Sequence, residues 1–433
     1  MAANATAVWR VRPSGSNTNG GGYDAGIASA GTDWSQANSA HASNIGTVST
    51  ATVTLTDTGA SFTAADLIGN GIYISGTGIS TTFTFITAVP TSTTLTLQTS
   101  PGTTGTSVTY HIGGGWADFF TNTTGAPVVP GNIIYILGSG TPNPASYTYD
   151  YTSTTNFTPV NGNSTAGEVT FANDPLTPGY KAAPDTTGGM PCIKAAGACF
   201  YNCNNLILNG LWFVCSSATN GSLGIINGSY TTAVGCVLDQ FAYDVSLYAT
   251  FGNIMSAFGC EIFTSVAPGA SGSNPVLNSV FGGVFIGCNV HNTVGPGAYL
   301  TNSGGGSTMI NCIVAKCRGY GVKTLSSSGN PITMMNNIID ANAGNGVEIA
   351  TQQQLVTITM LNNIISNHVT AATYGLTVDA GTTAANNQVK LFVDYNTFYN
   401  NTADLNAISY GAHDTHGGSN PYVGQATENY TLA

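Results

Sequence analysis

Five carboxylates stand where a folded repeat could bring two acids together: Asp340 with Glu348, and Asp239 with Asp244 and Glu261. Glycoside hydrolysis needs such a pair, about 5 to 9.5 Å apart, one as proton donor and the other as base or nucleophile. A lyase instead needs a basic residue to abstract a proton, usually aided by calcium-binding carboxylates. Lys316 and Arg318 are the close basic pair, Lys323 and Lys390 lie apart, and no acidic cluster accompanies any of them. His413, Asp414 and His416 form the tightest group of metal-ligating types. Their glycine-flanked tail is short of further ligands for a closed site unless several chains contribute, so a solvated loop is the competing reading. His41, His111, His291 and His368 are isolated in sequence, with no nearby carboxylate to suggest a triad. Among 19 acids in 433 residues such pairs also arise by chance and as turn residues. The expectation is therefore no cofactor and no catalytic centre, with these residues as the candidates to examine.

Any such site must be carried by the element that dominates residues 204–400, a short pattern that returns eight times. It reads NGLW, GCVL, GCEI, GCNV, NCIV, NNII, NNII and YNTF, anchored at Gly210, Cys236, Cys260, Cys288, Cys312, Asn337, Asn363 and Asn396. The anchors are spaced by 26, 24, 28, 24, 25, 26 and 33 residues, a period that marks a stacked repeat. Two residues before the anchor stand Leu208, Val234, Phe258, Ile286, Ile310, Met335, Leu361 and Asp394. Two residues after it stand Trp212, Leu238, Ile262, Val290, Val314, Ile339, Ile365 and Phe398. Apolar residues at alternate positions predict strands with one buried face, and place both columns and the anchor inward. A second echo at Gly297, Gly321 and Gly346 adds another short strand per coil. Gly, Asn and Thr are poor helix formers, so the period predicts a parallel β-helix, not a helical array.

Four of the nine cysteines, Cys236, Cys260, Cys288 and Cys312, share the anchor column. Stacked coils would bring their Cα atoms within disulfide range, but parallel Cβ vectors give poor geometry, and reduced buried thiols are the expectation. Cys192, Cys199, Cys203, Cys215 and Cys317 form no zinc-like pairing. Asn337, Asn363 and Asn396 continue the column, and stacked inward amides would bond coil to coil.

Charged residues are only 6% of the chain and the net charge is −11, which argues against a nucleic-acid partner or an anionic membrane. The opening MAANATAVWRVRPSG has no apolar core of a signal peptide, and no run approaches a membrane span. Folding in a cytoplasm, with release by a route such as lysis, is the matching expectation.

Taken in order, residues 1–48 read as an N-terminal cap, with a short helix from Asp33 to Ala42. Residues 49–112 change to Thr-rich alternation in five strand-like pieces, a small antiparallel β domain inserted near the N-terminus. Residues 113–400 form the β-helix, with YTYDYTSTTNF a lateral hairpin candidate, and 401–433 a C-terminal cap or tail after the repeat fades. The stretches VRPSGSNTNGG and DWSQANSAHA, with NNIIDANAGNGVEI from Asn336 to Ile349, resemble the right-handed parallel β-helix proteins of the pectate-lyase-like superfamily. That resemblance implies an all-β, right-handed parallel β-helix, and points to the kind found in bacteriophage fibres and tailspikes, many of them trimers.

The reading that joins these features is a non-enzymatic structural or attachment component of a virus particle, of the bacteriophage fibre, spike or capsid decoration kind. Its partners would be copies of itself in a homotrimer, other virion proteins and cell-surface polysaccharide, without membrane insertion. The alternative is a tailspike enzyme that binds or degrades polysaccharide, as hydrolase or lyase. The second alternative is a bacterial adhesin or filament subunit at the cell surface. Fold alone does not separate them.

Overall fold

The computed structural model describes residues 6–49, 53–80, 83–102, 105–119, 128–138, 149–151, 160–178, 180, 189–195, 200–201, 204–215, 225–226, 230–239, 247–248, 255–263, 277–279, 282–293, 295–301, 305–325, 328–350, 355–378, 389–424 and 429–432. Three stacks of short parallel strands wind around one apolar core. Among the described residues, sheet I has 12 strands; its edge strand Gly22–Tyr23 is antiparallel to Val8–Val11, beside which Ile133–Ile136 lies parallel. It runs through Val169–Asn173, Leu206–Asn209 and Thr231–Val234 to Val389–Asp394. Sheet II has 11 strands, from Tyr149–Tyr151 through Trp212–Cys215, Val237–Asp239, Glu261–Phe263 and Asn289–His291 to Thr415–His416. Sheet III has seven, among them Ala298–Thr301, Val322–Leu325 and Val347–Ile349, and ends at Ala403–Asn406. The architecture is an all-β parallel β-helix.

The column two residues after the anchor does face the core: Leu238, Ile262, Val290, Val314, Ile339, Ile365 and Phe398 are buried. The column two residues before it does not. Val234, Phe258, Ile286, Ile310, Met335 and Leu361 are half-buried and point outward. Their predecessors, Ala233, Ala257, Phe285, Met309, Met334 and Met360, fill the core instead. The cause is the residue just before the anchor, which turns the chain from sheet I to sheet II. Gly235, Gly259, Gly287, Asn311, Asn336, Asn362 and Tyr395 all have φ between +53° and +64°. A left-handed residue breaks the alternation of a strand, and Gly and Asn adopt that conformation at least cost. The first repeat is also shifted by one position. Gly210 is its left-handed corner, Leu211 its anchor, and Phe213 its inward residue, while Trp212 faces out.

The inserted module is a closed six-stranded barrel, in the order Ala42–Ser49, Thr54–Thr56, Thr94–Leu97, Phe83–Thr91, Gly71–Ser75 and Gly105–Ile112. Leu55, Ile72, Ile74, Leu95 and Ile112 fill it, and the Tyr110 hydroxyl donates to Asp57 Oδ2 at 2.7 Å. The helix expected from Asp33 to Ala42 does not form. Only the 3-10 turn Trp34–Gln36 forms there, capped by Asp33, before Ala42 pairs with Ile112. Trp9 stacks on Trp116 and touches Phe85, so barrel and first coil share aromatic packing. Tyr149–Tyr151 pairs in parallel with Ile193–Ala195, and the rest of the hairpin candidate YTYDYTSTTNF lies outside the described residues. Coils also continue past residue 400, since Ala403–Asn406 and Thr415–His416 extend two sheets.

Candidate functional site

Inside the corner between sheets I and II, the anchors form a continuous column. The Asn337 amide donates from Nδ2 to Met309 O (2.9 Å) and to Asn363 Oδ1 (3.0 Å), and its Oδ1 accepts from Cys312 N (2.9 Å). Asn363 repeats this with Met334 O and Asn396 Oδ1. Asp414 is the next rung, taking the Asn396 backbone N–H at 2.7 Å. The thiols reach the equivalent carbonyls: Cys312 Sγ donates to Phe285 O, Cys288 Sγ to Ala257 O and Cys236 Sγ to Leu208 O, at 3.4 to 3.5 Å. Cys and Asn are therefore alternative donors at one position. Cys236, Cys260, Cys288 and Cys312 are free and buried. Hydrogen bonding to Cys236 and Cys288, with burial, holds the Cys260 thiol well above its ordinary range, so it stays neutral.

A second column, missed by the sequence reading, stands five residues beyond the first: Thr293, Cys317, Asn342, His368 and Asn401. It lies at the next corner, after the left-handed residues Asn292, Lys316, Ala341, Asn367 and Asn400. Asn342 Oδ1 accepts from Cys317 N at 2.9 Å. Asn342 Nδ2 donates to Val314 O at 3.2 Å and lies 3.3 Å from His368 Nε2, while His368 Nδ1 lies 2.9 Å from Asn401 Oδ1. These contacts fit one neutral tautomer, with Nδ1–H donating and Nε2 accepting. Burial lowers the His368 pKa, and burial raises the Cys317 thiol to about 12. The shared spacing of the two columns was the signal available in the sequence.

The polar residues of the outer faces separate into distinct groups. Asp340 and Glu348 lie on different sheets and each is engaged. Asp340 is fully buried on sheet II, where it accepts from Ser366 Oγ (2.7 Å), Asn367 Nδ2 (2.7 Å) and Tyr430 OH (3.2 Å). Glu348, on sheet III, pairs with Lys323 at 2.5 Å. His413, Asp414 and His416 do not converge. His413 pairs with Asp394 and stacks on Tyr395, His416 stacks on Tyr410, and Asp414 closes the amide column. The hydrogen bond from His413 lowers the Asp394 pKa. Among the described residues, no group of three His, Cys, Asp or Glu side chains gathers to hold a metal.

Glu261 and His291 do meet, which the sequence reading of an isolated His291 did not foresee. Their strands are neighbours in sheet II, and His291 Nε2 lies 3.1 Å from Glu261 Oε1. Asn292 Nδ2 lies 3.0 Å from His291 Nδ1, so Nδ1 accepts and Nε2–H donates to the carboxylate. His291 stacks on Phe263 at 5.3 Å, and Phe263 meets the Trp212 ring edge-on at 6.4 Å. Asp239 pairs in register with Phe263, and Val237 with Glu261, so Asp239 and Glu261 are diagonal neighbours. Strand spacing and rise put their Cα atoms about 8 Å apart. Asp239 is buried, whereas the Glu261 side chain is 34% exposed. A diagonal acid pair with an aromatic ring beside it has the components for protonating or deprotonating a bound sugar. Asp244 lies outside the described residues.

The fold defines a right-handed parallel β-helix protein. Residues 277–402 match the family model described as "Right handed beta helix region". Among solved structures, pectate lyase Pel9A is similar at 14% identity and a TM-score of 0.41, over 74% of this chain and 80% of that one. The tailspike protein gp49 from Pseudomonas phage LKA1 is similar at 10% identity and a TM-score of 0.28, over 88% of this chain and 63% of that one. No curated protein matches the chain by sequence. No helix among the described residues is long and apolar enough to cross a membrane.

Proposed function

We propose that this chain is a structural and attachment component of a virus particle, of the bacteriophage fibre, spike or capsid decoration kind, working without catalysis. The observation that carries the reading is the pair of internal columns, whose side chains tie coil to coil from Cys236 to Asp414. Such cross-linking gives a stiff, slender body suited to bearing load and presenting its faces. Copies of the chain, in a trimer, and other particle proteins are its partners, with cell-surface polysaccharide as the attachment target. Mass spectrometry of purified particles tests this. The chain should be recovered with the other structural proteins, and its absence from washed particles, with presence on a bacterial surface, would instead favour an adhesin or filament subunit.

Cleavage of polysaccharide is the second reading, favoured by the Glu261–His291 contact beside Asp239 and Phe263. Incubation with a panel of bacterial capsule and cell-wall polysaccharides would then release new reducing ends or unsaturated uronates. Glu261→Gln should abolish that release. No product with any polysaccharide leaves the attachment reading in place.

A further inference from the structure

Sheet I carries an outward column that the interior does not need: Val234, Phe258, Ile286, Ile310, Met335 and Leu361, one on each of six successive strands. Parallel sheets are ordinarily covered on both faces. On sheet II the chain supplies cover itself. Its C-terminal hairpin, Tyr422–Gly424 with Asn429–Leu432, places Tyr422 OH 2.8 Å from Ser366 Oγ and Tyr430 OH on Asp340. Sheets II and III also carry charge outward, at Glu261, Lys323 and Glu348. Sheet I carries none in the two outward columns that run from Ile133 to Phe392 and from Tyr135 to Leu361; charge returns at the ends, with Arg10 beside Tyr135, Asp394 beside Leu361 and the exposed Lys390 beside Thr357. Phe392, at the C-terminal end of the face, is 58% exposed.

We infer that the outer face of sheet I is where copies of this chain associate with one another. Charge selects this occupant. Chains of net charge −11 repel through their other faces, and a face whose two central columns carry no charge is where two identical copies meet without like-charge contact. Area agrees with it. Ten strands from Ile133 to Phe392 span about 43 Å, and two side-chain columns with their flanks about 13 Å, on the order of 600 Å² before side-chain relief. One partner in a stable interface contributes about 800 Å², so a face of this size, with one apolar column beside one rich in Thr and Ser, is of interface scale. The inference rests on the particle reading only for the number of copies, three.

Light scattering on the size-separated full chain, with sedimentation at several protein and salt concentrations, tests it. The expected mass is three times 44.1 kDa, and association should hold or strengthen as salt rises. Ile286→Glu with Ile310→Glu should shift the mass to the monomer. Thr308→Arg with Thr333→Arg, in the neighbouring outward column, should do the same without touching the half-buried apolar residues. Circular dichroism should show both variants retaining the β fold. A monomer at every concentration and salt, or a multimer that resists both variants, would overturn the inference. Neither result bears on whether the chain is found in particles, so this failure and that of the particle reading are separable.

Discussion

His368 shows how much a single position in a column can decide. Its ring accepts at Nε2 from the Asn342 amide and donates from Nδ1 to Asn401, so a second ring proton would face an N–H donor inside the core. Burial lowers its folded pKa below the ordinary 6.5. The unfolded chain therefore takes the proton first. Stability from this residue is intact above about 6.5 and is lost as pH falls from there toward the lower folded value. Urea midpoints measured from pH ~7.5 to ~5 should fall in the wild type and flatten in His368→Asn; parallel curves would reject the assignment. Asn337→Ala leaves the Cys312 N–H and Met309 carbonyl without their side-chain partner, and should cost about 2–4 kcal/mol in the same measurement. Asn337→Cys should cost less, since a thiol in the preceding rungs already reaches the matching carbonyl.

The corner between sheets I and II turns on one backbone conformation. At Gly287, φ is +64°, the residue is exposed, and a Cβ would meet nothing nearer than Gly259 N at 3.9 Å. Substitution there tests backbone strain alone. Gly287→Val should cost about 1–2 kcal/mol, while Gly287→Asn, the residue type used at Asn311, Asn336 and Asn362, should stay within ~0.5 kcal/mol. Equal losses for both would mean that crowding, not φ, limits the position. The same corner explains what the sequence revealed and what it hid. Period, parallel strands and the inward anchors were legible because each coil must present the same positions to the same core. The outward turn of Val234, Phe258 and Ile286 was not, because alternation assumes an unbroken strand and gives no sign of a left-handed residue between two of them. The Glu261–His291 contact was hidden for a related reason: 30 residues separate them in sequence, and only coil register makes them neighbours.

For the whole molecule, stacking makes stability a chain of nearest-neighbour contacts, so the C-terminal hairpin matters through the coils it touches. It returns across sheet II to the strands Ile338–Asp340 and Ile364–Ser366, where Tyr422, Ser366, Asp340 and Tyr430 form one connected polar group. Tyr422 and Tyr430 meet edge-on at 5.3 Å above it. Burial raises the Tyr422 phenol, so its hydroxyl stays protonated and remains a hydrogen-bond donor through the neutral range. Ending the chain after Gly418 would remove the hairpin but keep Asp414 and the Thr415–His416 strand, and hence the closed amide column. Hydrogen exchange should then quicken in Ile338–Asp340 and Ile364–Ser366. It should stay unchanged in Glu261–Phe263, three and more coils away, and in Val347–Ile349 on sheet III. A uniform acceleration would show that the hairpin supports the entire stack, and no acceleration would show that the sheet holds Asp340 without it.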